Sequence, residues 1–161
     1  MATAWVLPDA INTDIILPGR YISLIRPEDL AKHALEGWNP QWASAIQPRD
    51  VIIGGMNFGC GSSREQAPAA LKGLGISCVI AKSFARIFYR NAINIGLLVL
   101  EIRMETDKAV TTGELVVLSP DYKRLSVASG EMIFELRAPP DFLMELIQAG
   151  GIVAQLQKNQ N

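Results

Sequence analysis

Residues 57–68, NFGCGSSREQAP, place two glycines, two serines and an arginine in one loop. Such a loop suits an anion. Gly59 and Gly61 let the backbone take positive φ and approach a ligand closely. Ser62 and Ser63 fall where the next helix is predicted to begin, and free N–H groups with the helix dipole favour negative charge there. Arg64 adds a forked donor matched to carboxylate or phosphate. Together these residues describe a clamp for a carboxylate or phosphate with a hydroxyl inside it.

Two readings of the loop stand on residue chemistry alone. In the first it is only a helix cap, with Ser62 or Ser63 at the N-cap and Glu65 or Gln66 completing a capping box. In the second, Ser62 does chemistry. The pattern is not the phosphate loop, which needs Gly-Lys-Ser/Thr, nor the Gly-x-Ser-x-Gly elbow of a hydrolase. The sole histidine, His33, lies in a predicted helix, so a Ser-His-Asp triad fits poorly. A serine without a histidine is a base only if its alkoxide is stabilised, here by N–H donors, the dipole and Arg64. Such an alkoxide could take a proton α to a carboxylate while a metal elsewhere draws off hydroxide.

The elements that must hold this loop follow from pattern. RDVIIGG before it reads as a buried strand, and QAPAALKGLG after it as a helix with Pro68 near its start. SCVIAKS is a second strand, FARIFYRNAINIG a helix that Gly96 ends, and LLVLEI a third strand. Residues 50–102 therefore read β-α-β-α-β, the signature of a parallel sheet with helical crossovers. Upstream, AWVL reads as a strand, INTDIILPGRYIS as a loop and RPEDLAKHALEG as a helix stopped by Gly37. Downstream, GELVVLSP, KRLSVASG and EMIFELR read as antiparallel strands, PPDFLMELIQAGG as a closing helix, and QLQKNQN as a fraying tail. The expectation is one α/β domain over residues 1–161 with a mixed sheet, part parallel and part antiparallel.

Composition narrows the function classes. The chain has 161 residues, 49% hydrophobic and 19% charged, with net charge −1; this is a core-rich globular composition. No basic excess points to nucleic acid. No apolar run approaches the roughly 20 residues of a membrane span, and no signal-peptide pattern opens the chain, so a cytoplasmic protein is expected. Cys60 and Cys78 do not form a Cys-x-x-Cys pair. They read as packing residues, and no metal site is expected in this chain. Any metal it works with is expected on a partner.

NFGCGSSREQAP followed by AKSFARIFYRNAINIGL resembles the 3-isopropylmalate dehydratase small-subunit family of the aconitase superfamily. INTDIILPGRY is similar to that family's N-terminal Asn-Thr-Asp loop. The three motifs, in order, span residues 11–100. The resemblance implies the three-layer β/β/α swivel domain of aconitases. It implies a large-subunit partner carrying a [4Fe–4S] cluster, in a heterodimer or heterotetramer, and a small hydroxy di- or tricarboxylate as substrate. The implied reaction is dehydration and rehydration of a malate-type acid, with hydroxyl moving from C2 to C3 of isopropylmalate in leucine biosynthesis.

By the same resemblance Ser62 is the general base, Ser63 and Arg64 hold substrate carboxylate, and Asp14 orients active-site groups. Arg20 or Arg26 is a second clamp or a solvated arginine; both readings stand. Gln66 stands where the superfamily often has histidine, and glutamine can hydrogen-bond but cannot titrate. Tyr21, Ile22, Ser23 and Leu24 form the stretch that sets substrate choice. An apolar lining there suits an isopropyl group and leaves a distal carboxylate unpaired. The alternatives are a sister hydro-lyase acting on homoaconitate, citramalate or 2,3-dimethylmalate, or a non-catalytic anion-binding module. Lys82 and Arg86 read as support for the loop, and Trp38 and Trp42 as candidates for a partner interface.

Overall fold

The computed structural model describes residues 1–103, 110–130 and 132–160. Seven strands form the frame: β1 (Ala2–Val6), β2 (Val51–Gly54), β3 (Cys78–Ala81), β4 (Val99–Ile102), β5 (Leu115–Leu118), β6 (Arg124–Val127) and β7 (Ile133–Arg137). Their spatial order is β1-β2-β3-β4-β7-β6-β5, and the sheet closes on itself as a barrel. The pairs β1–β2, β2–β3 and β3–β4 are parallel. The remaining pairs, including β1 with β5, are antiparallel.

The mixed sheet matches the sequence reading, and closure of the barrel is a feature that reading did not include. β1 uses both of its edges, setting Ala4 opposite Val51 on one side and Ala2 opposite Val116 on the other. That second pairing turns layered sheets into one closed barrel and removes the open edges.

The β-α-β-α-β segment is β2, α4 (Gln66–Gly73), β3, α5 (Arg86–Asn94) and β4. Every residue of β2 and β3 is buried, as expected for strands between a barrel interior and covering helices. The antiparallel strands instead alternate buried and exposed positions, most clearly in β7. Among the described residues no helix is long and apolar enough to cross a membrane.

Three local expectations are corrected. The 11–23 loop contains a short helix, α1 (Thr13–Ile16), capped by Asn12 Oδ1, which accepts from the Ile15 N–H at 2.9 Å, and a 3₁₀ turn at Gly19–Tyr21. The predicted 26–37 helix is helical only over α2 (Pro27–Ala31). Leu35 has φ of 60°, and its N–H leaves the helix to donate to the Ile16 carbonyl at 2.7 Å. Gly37 packs so close that a Cβ would lie 2.6 Å from the Ile15 Cα. The connection from there to β2 holds α3 (Trp42–Ala45). Finally, α6 (Asp141–Gln148) is followed by α7 (Ile152–Asn159) where a fraying tail was expected. Gly151 makes the turn between them, with backbone pressed on the Asn94 carbonyl, where a Cβ would sit 2.5 Å away.

Candidate active site

The loop after β2 lies at the C-terminal ends of three parallel strands, the place where open parallel sheets bind ligands. It is clamped on both sides. The Gly59 N–H donates to the Ile11 carbonyl at 2.7 Å, and the Thr13 N–H to the Cys60 carbonyl at 2.9 Å. On the other flank, the Phe58 N–H donates to the Ser83 carbonyl and the Ala85 N–H to the Phe58 carbonyl, both at 2.9 Å. The loop is thus stitched between the stretch after β1 and the stretch after β3. Beneath it Phe58 is fully buried and meets Phe88 edge-on at 5.4 Å between ring centroids, a favoured aromatic geometry. Gly59 is required twice over: its φ is +79°, and a Cβ would lie 2.2 Å from the Phe88 Cγ.

The capping reading of the serines does not hold. α4 starts at Gln66 with Glu65 at its N-cap, and no side chain caps it. Ser62 and Ser63 therefore precede the helix, and both are exposed. The Ser62 carbonyl accepts from the Arg64 N–H at 2.9 Å. Thr13 approaches the same serine from the facing loop, its Oγ1 at 3.1 Å from the Ser62 carbonyl oxygen and 3.2 Å from the Ser62 Oγ.

Arg64 is braced by Asp14. Its Nη1 donates to Asp14 Oδ1 at 2.7 Å and to the Leu17 carbonyl at 3.3 Å. The Gly19 N–H donates to the same carboxylate oxygen at 3.0 Å. The Arg64 hydrogen bond, helped by the Gly19 N–H, holds the Asp14 carboxyl below its ordinary value. Gly19 leaves room for the guanidinium, since a Cβ there would come within 3.2 Å of Arg64 Nη2. The Asn-Thr-Asp stretch thus delivers Thr13 to Ser62 and Asp14 to Arg64.

A cavity of about 720 Å³ opens beside the loop. One wall is the loop itself, with Asn57, Gly59, Cys60, Gly61 and Ser62; the other is Phe84 to Ile87 and Arg90. Arg86 and Arg90 stand one turn apart on α5, and neither forms an ion pair or hydrogen bond through its side chain among the described residues. Like charges at this spacing repel, and a cation in a first helical turn opposes the dipole. The arrangement is locally unfavourable and suits an anion in the cavity. Arg86 was read as loop support; Arg90 was missed, although its spacing from Arg86 was visible.

Arg20 and Arg26 lie elsewhere. Arg26 pairs with Asp29 at 2.9 Å, and Arg20 pairs with Glu36 and lies over the Tyr21 ring. Glu36 is a hub that sequence reasoning missed. It accepts from the Tyr21 hydroxyl at 3.0 Å and stands 2.9 Å from His33 Nδ1. Burial pushes the Glu36 carboxyl up, but the bonds from His33, Tyr21 and Arg20 outweigh burial and hold it below its ordinary value. The Tyr21 ring also stacks on His33 at 3.6 Å between centroids. The tyrosine is fixed while Ile22 and Ser23 beyond it are exposed and Leu24 is half-buried. The Gln66 amide donates to the Ile22 carbonyl at 3.3 Å, tying this stretch to the start of α4.

Among the described residues, no group of three or more His, Cys, Asp and Glu side chains could hold a metal ion. Cys60 borders the cavity; Cys78 is fully buried, and burial pushes its thiol up to about 12. These residues do not fit an iron–sulfur cluster.

Comparison with known proteins bears on the family and the fold. The aconitase C-terminal domain model matches residues 26–105. The isopropylmalate/citramalate isomerase small subunit of Methanocaldococcus jannaschii is 46% identical over 154 residues, covering 96% of this chain and 91% of the relative. The chain belongs to the 3-isopropylmalate dehydratase small-subunit family. A second member, 3-isopropylmalate dehydratase small subunit 1 of Archaeoglobus fulgidus, is 49% identical over 95% of this chain and 94% of its own. A crystal structure of 3-isopropylmalate dehydratase from Methanocaldococcus jannaschii superposes with a TM-score of 0.90 at 39% identity, covering 99% of this chain and 93% of that one. The domain model begins at Arg26, so the Asn-Thr-Asp loop of this dehydratase family lies outside its match, although it touches both Ser62 and Arg64.

Proposed function

We propose that this chain, with a large subunit, interconverts 2-isopropylmalate and 3-isopropylmalate by dehydration and rehydration. The observation that carries the reading is the exposed Ser62 hydroxyl on a cavity wall, beside an arginine held in place by Asp14. Ser62 is the base: its alkoxide takes the proton from the substrate carbon and returns one on rehydration, so the serine ends as it began. Arg64, with Asp14 using only one of its nitrogens, keeps donors for a substrate carboxylate. Ser63, Arg86 and Arg90 supply further donors near the cavity. A [4Fe–4S] cluster is expected on the large subunit; this chain's part is confined to the proton and the carboxylates. The barrel draws strands from Ala2 to Arg137, which supports reading residues 1–161 as one domain.

Substrate choice rests on residues 21–24. Tyr21 is fixed by Glu36 and His33, and Arg20 and Arg26 are bound to carboxylates of their own. Ile22 and Leu24 then offer apolar surface, which favours an alkyl group over a distal carboxylate that would be costly to bury unpaired. A second substrate, citramalate, is favoured by the name of the Methanocaldococcus jannaschii relative, an isopropylmalate/citramalate isomerase small subunit. The test is turnover by this chain mixed anaerobically with its cognate large subunit, on 2-isopropylmalate, citramalate, 2,3-dimethylmalate and homocitrate. Turnover of 2-isopropylmalate that needs both chains is expected. Preference for homocitrate would overturn the reading of residues 21–24, and anion binding without turnover of any of the four would overturn the enzymatic reading.

A further inference from the structure

The Thr13 hydroxyl is 3.1 Å from the Ser62 carbonyl oxygen and 3.2 Å from the Ser62 Oγ. It has one hydrogen and two acceptors to choose between. The carbonyl is already served by the Arg64 N–H at 2.9 Å, so the Thr13 hydrogen is not needed there. Thr13 is 3% exposed, one of only two buried polar or charged side chains among the described residues. Its backbone is fixed from both directions: its N–H donates to the Cys60 carbonyl, and its carbonyl accepts from the Leu17 N–H at 2.9 Å. A hydroxyl so held can rotate its hydrogen but cannot leave.

We infer that Thr13 is a positioning residue that stabilises the Ser62 alkoxide by switching its hydrogen bond. This rests on Ser62 being the proton acceptor. When Ser62 is neutral, its Oγ–H donates to Thr13 Oγ1 and the Thr13 hydrogen points to the Ser62 carbonyl. When Ser62 is an alkoxide, the Thr13 hydrogen turns to the charged Oγ. No proton leaves Thr13 in either state. The proton that Ser62 takes comes from the substrate carbon and goes back to carbon on rehydration. A preorganised donor aimed at a charge that comes and goes is the arrangement from which enzymes gain most.

The experiment uses the reconstituted two-subunit enzyme. Thr13→Val keeps the shape and removes the hydroxyl. We expect kcat for 2-isopropylmalate to fall by about 10²-fold, the scale of one lost oxyanion donor, with KM nearly unchanged. The alkoxide loses a donor, so the Ser62 pKa rises and the alkaline rise in kcat moves to higher pH. Thr13→Ser restores most of the rate and the pH profile. In Ser62→Ala, adding Thr13→Val should cost nothing more. Full kcat with an unshifted pH profile in Thr13→Val overturns the inference, as does an additive loss in the double variant. Should Thr13→Val fail to assemble, Thr13→Ser and Thr13→Ala both lack the methyl; equal rates in these two overturn the inference equally. Full activity in Ser62→Ala overturns the serine reading itself, whereas an inactive Ser62→Ala beside a fully active Thr13→Val removes only the role of Thr13.

Discussion

The barrel has two halves built by different rules, and each carries a cavity. On the parallel side, β2 and β3 are buried throughout, and the connections leaving β1, β2 and β3 meet at one rim. On the antiparallel side the strands alternate, and Leu115, Val117 and Ile133 stay exposed on the outer face. The antiparallel cavity, about 580 Å³, is lined by Arg103, Lys123, Arg124 and Arg137 but also by Asp121, Glu135 and Asp141, and Arg137 has a further partner in Glu101 at 3.6 Å. Opposite charges there can neutralise one another. Among the described residues, the Ser62 cavity brings Arg86 and Arg90 and no acidic side chain. Size does not separate the two cavities; uncompensated charge does. A protein tolerates unneutralised cations where a ligand supplies the missing charge.

Ser62→Ala should show the largest effect and strike function alone. A positioned base is worth about 10²- to 10⁴-fold, so kcat of the two-subunit enzyme should drop by that factor while the thermal midpoint of the isolated chain stays put. A parallel fall in the midpoint would blur the division between scaffold and site.

Gly59→Ala should strike both at once, because the loop is also part of the packing. The new Cβ would collide with Phe88 at a positive φ. Left-handed backbone and overpacking together cost about 2–4 kcal/mol, and thermal denaturation should register the loss as several degrees.

Asp14→Asn is expected to act more gently. The ion pair with Arg64 is partly exposed, at 26% for Arg64 and 65% for Asp14. Such pairs are worth at most about 1 kcal/mol, so KM should rise only about two- to five-fold with kcat less affected. The Asp14 carboxyl is depressed in the folded chain, so the pair's contribution is complete above the ordinary Asp value near 3.9 and is lost only as pH falls through the lowered one. The rise in KM caused by Asp14→Asn should therefore be the same at pH 6 as at pH 8. The smallest effect belongs to Val117→Thr on the antiparallel face, expected within about 0.5 kcal/mol by denaturant unfolding and silent in turnover.

Legibility in the sequence followed the same divide. VIIGG, CVIA and LLVLEI are apolar runs separated by helical stretches, so the order β2-α4-β3-α5-β4 could be written from local pattern. The anion loop was visible because glycine, serine and arginine each carry their chemistry on their face. Closure of the barrel was not visible, since nothing local in β1 announces a partner at Val116. Thr13 was hidden for a related reason: its hydroxyl matters only because loops 49 residues apart in the chain cross at that point. Glu36 read as one acid on a helix, and only the fold brings Arg20, Tyr21 and His33 around it. The start of α4 at Gln66 agrees with the reading of QAPAALKGLG as a helix, but the caps offered at Ser62 or Ser63 do not form, because serines before a helix look like caps whether or not they act as such.

The double pairing of β1 has a consequence for how the protein is made. Residues 2–6 leave the ribosome before either of their partners, and their parallel neighbour β2 follows after a modest stretch of chain. Their other neighbour, β5, comes only at Leu115–Leu118. Pairing across such a separation is slow, because loop closure must precede any reward from the contact. β1 is thus left with an open edge until residues 115–118 are made, and the seam that seals the barrel waits for them.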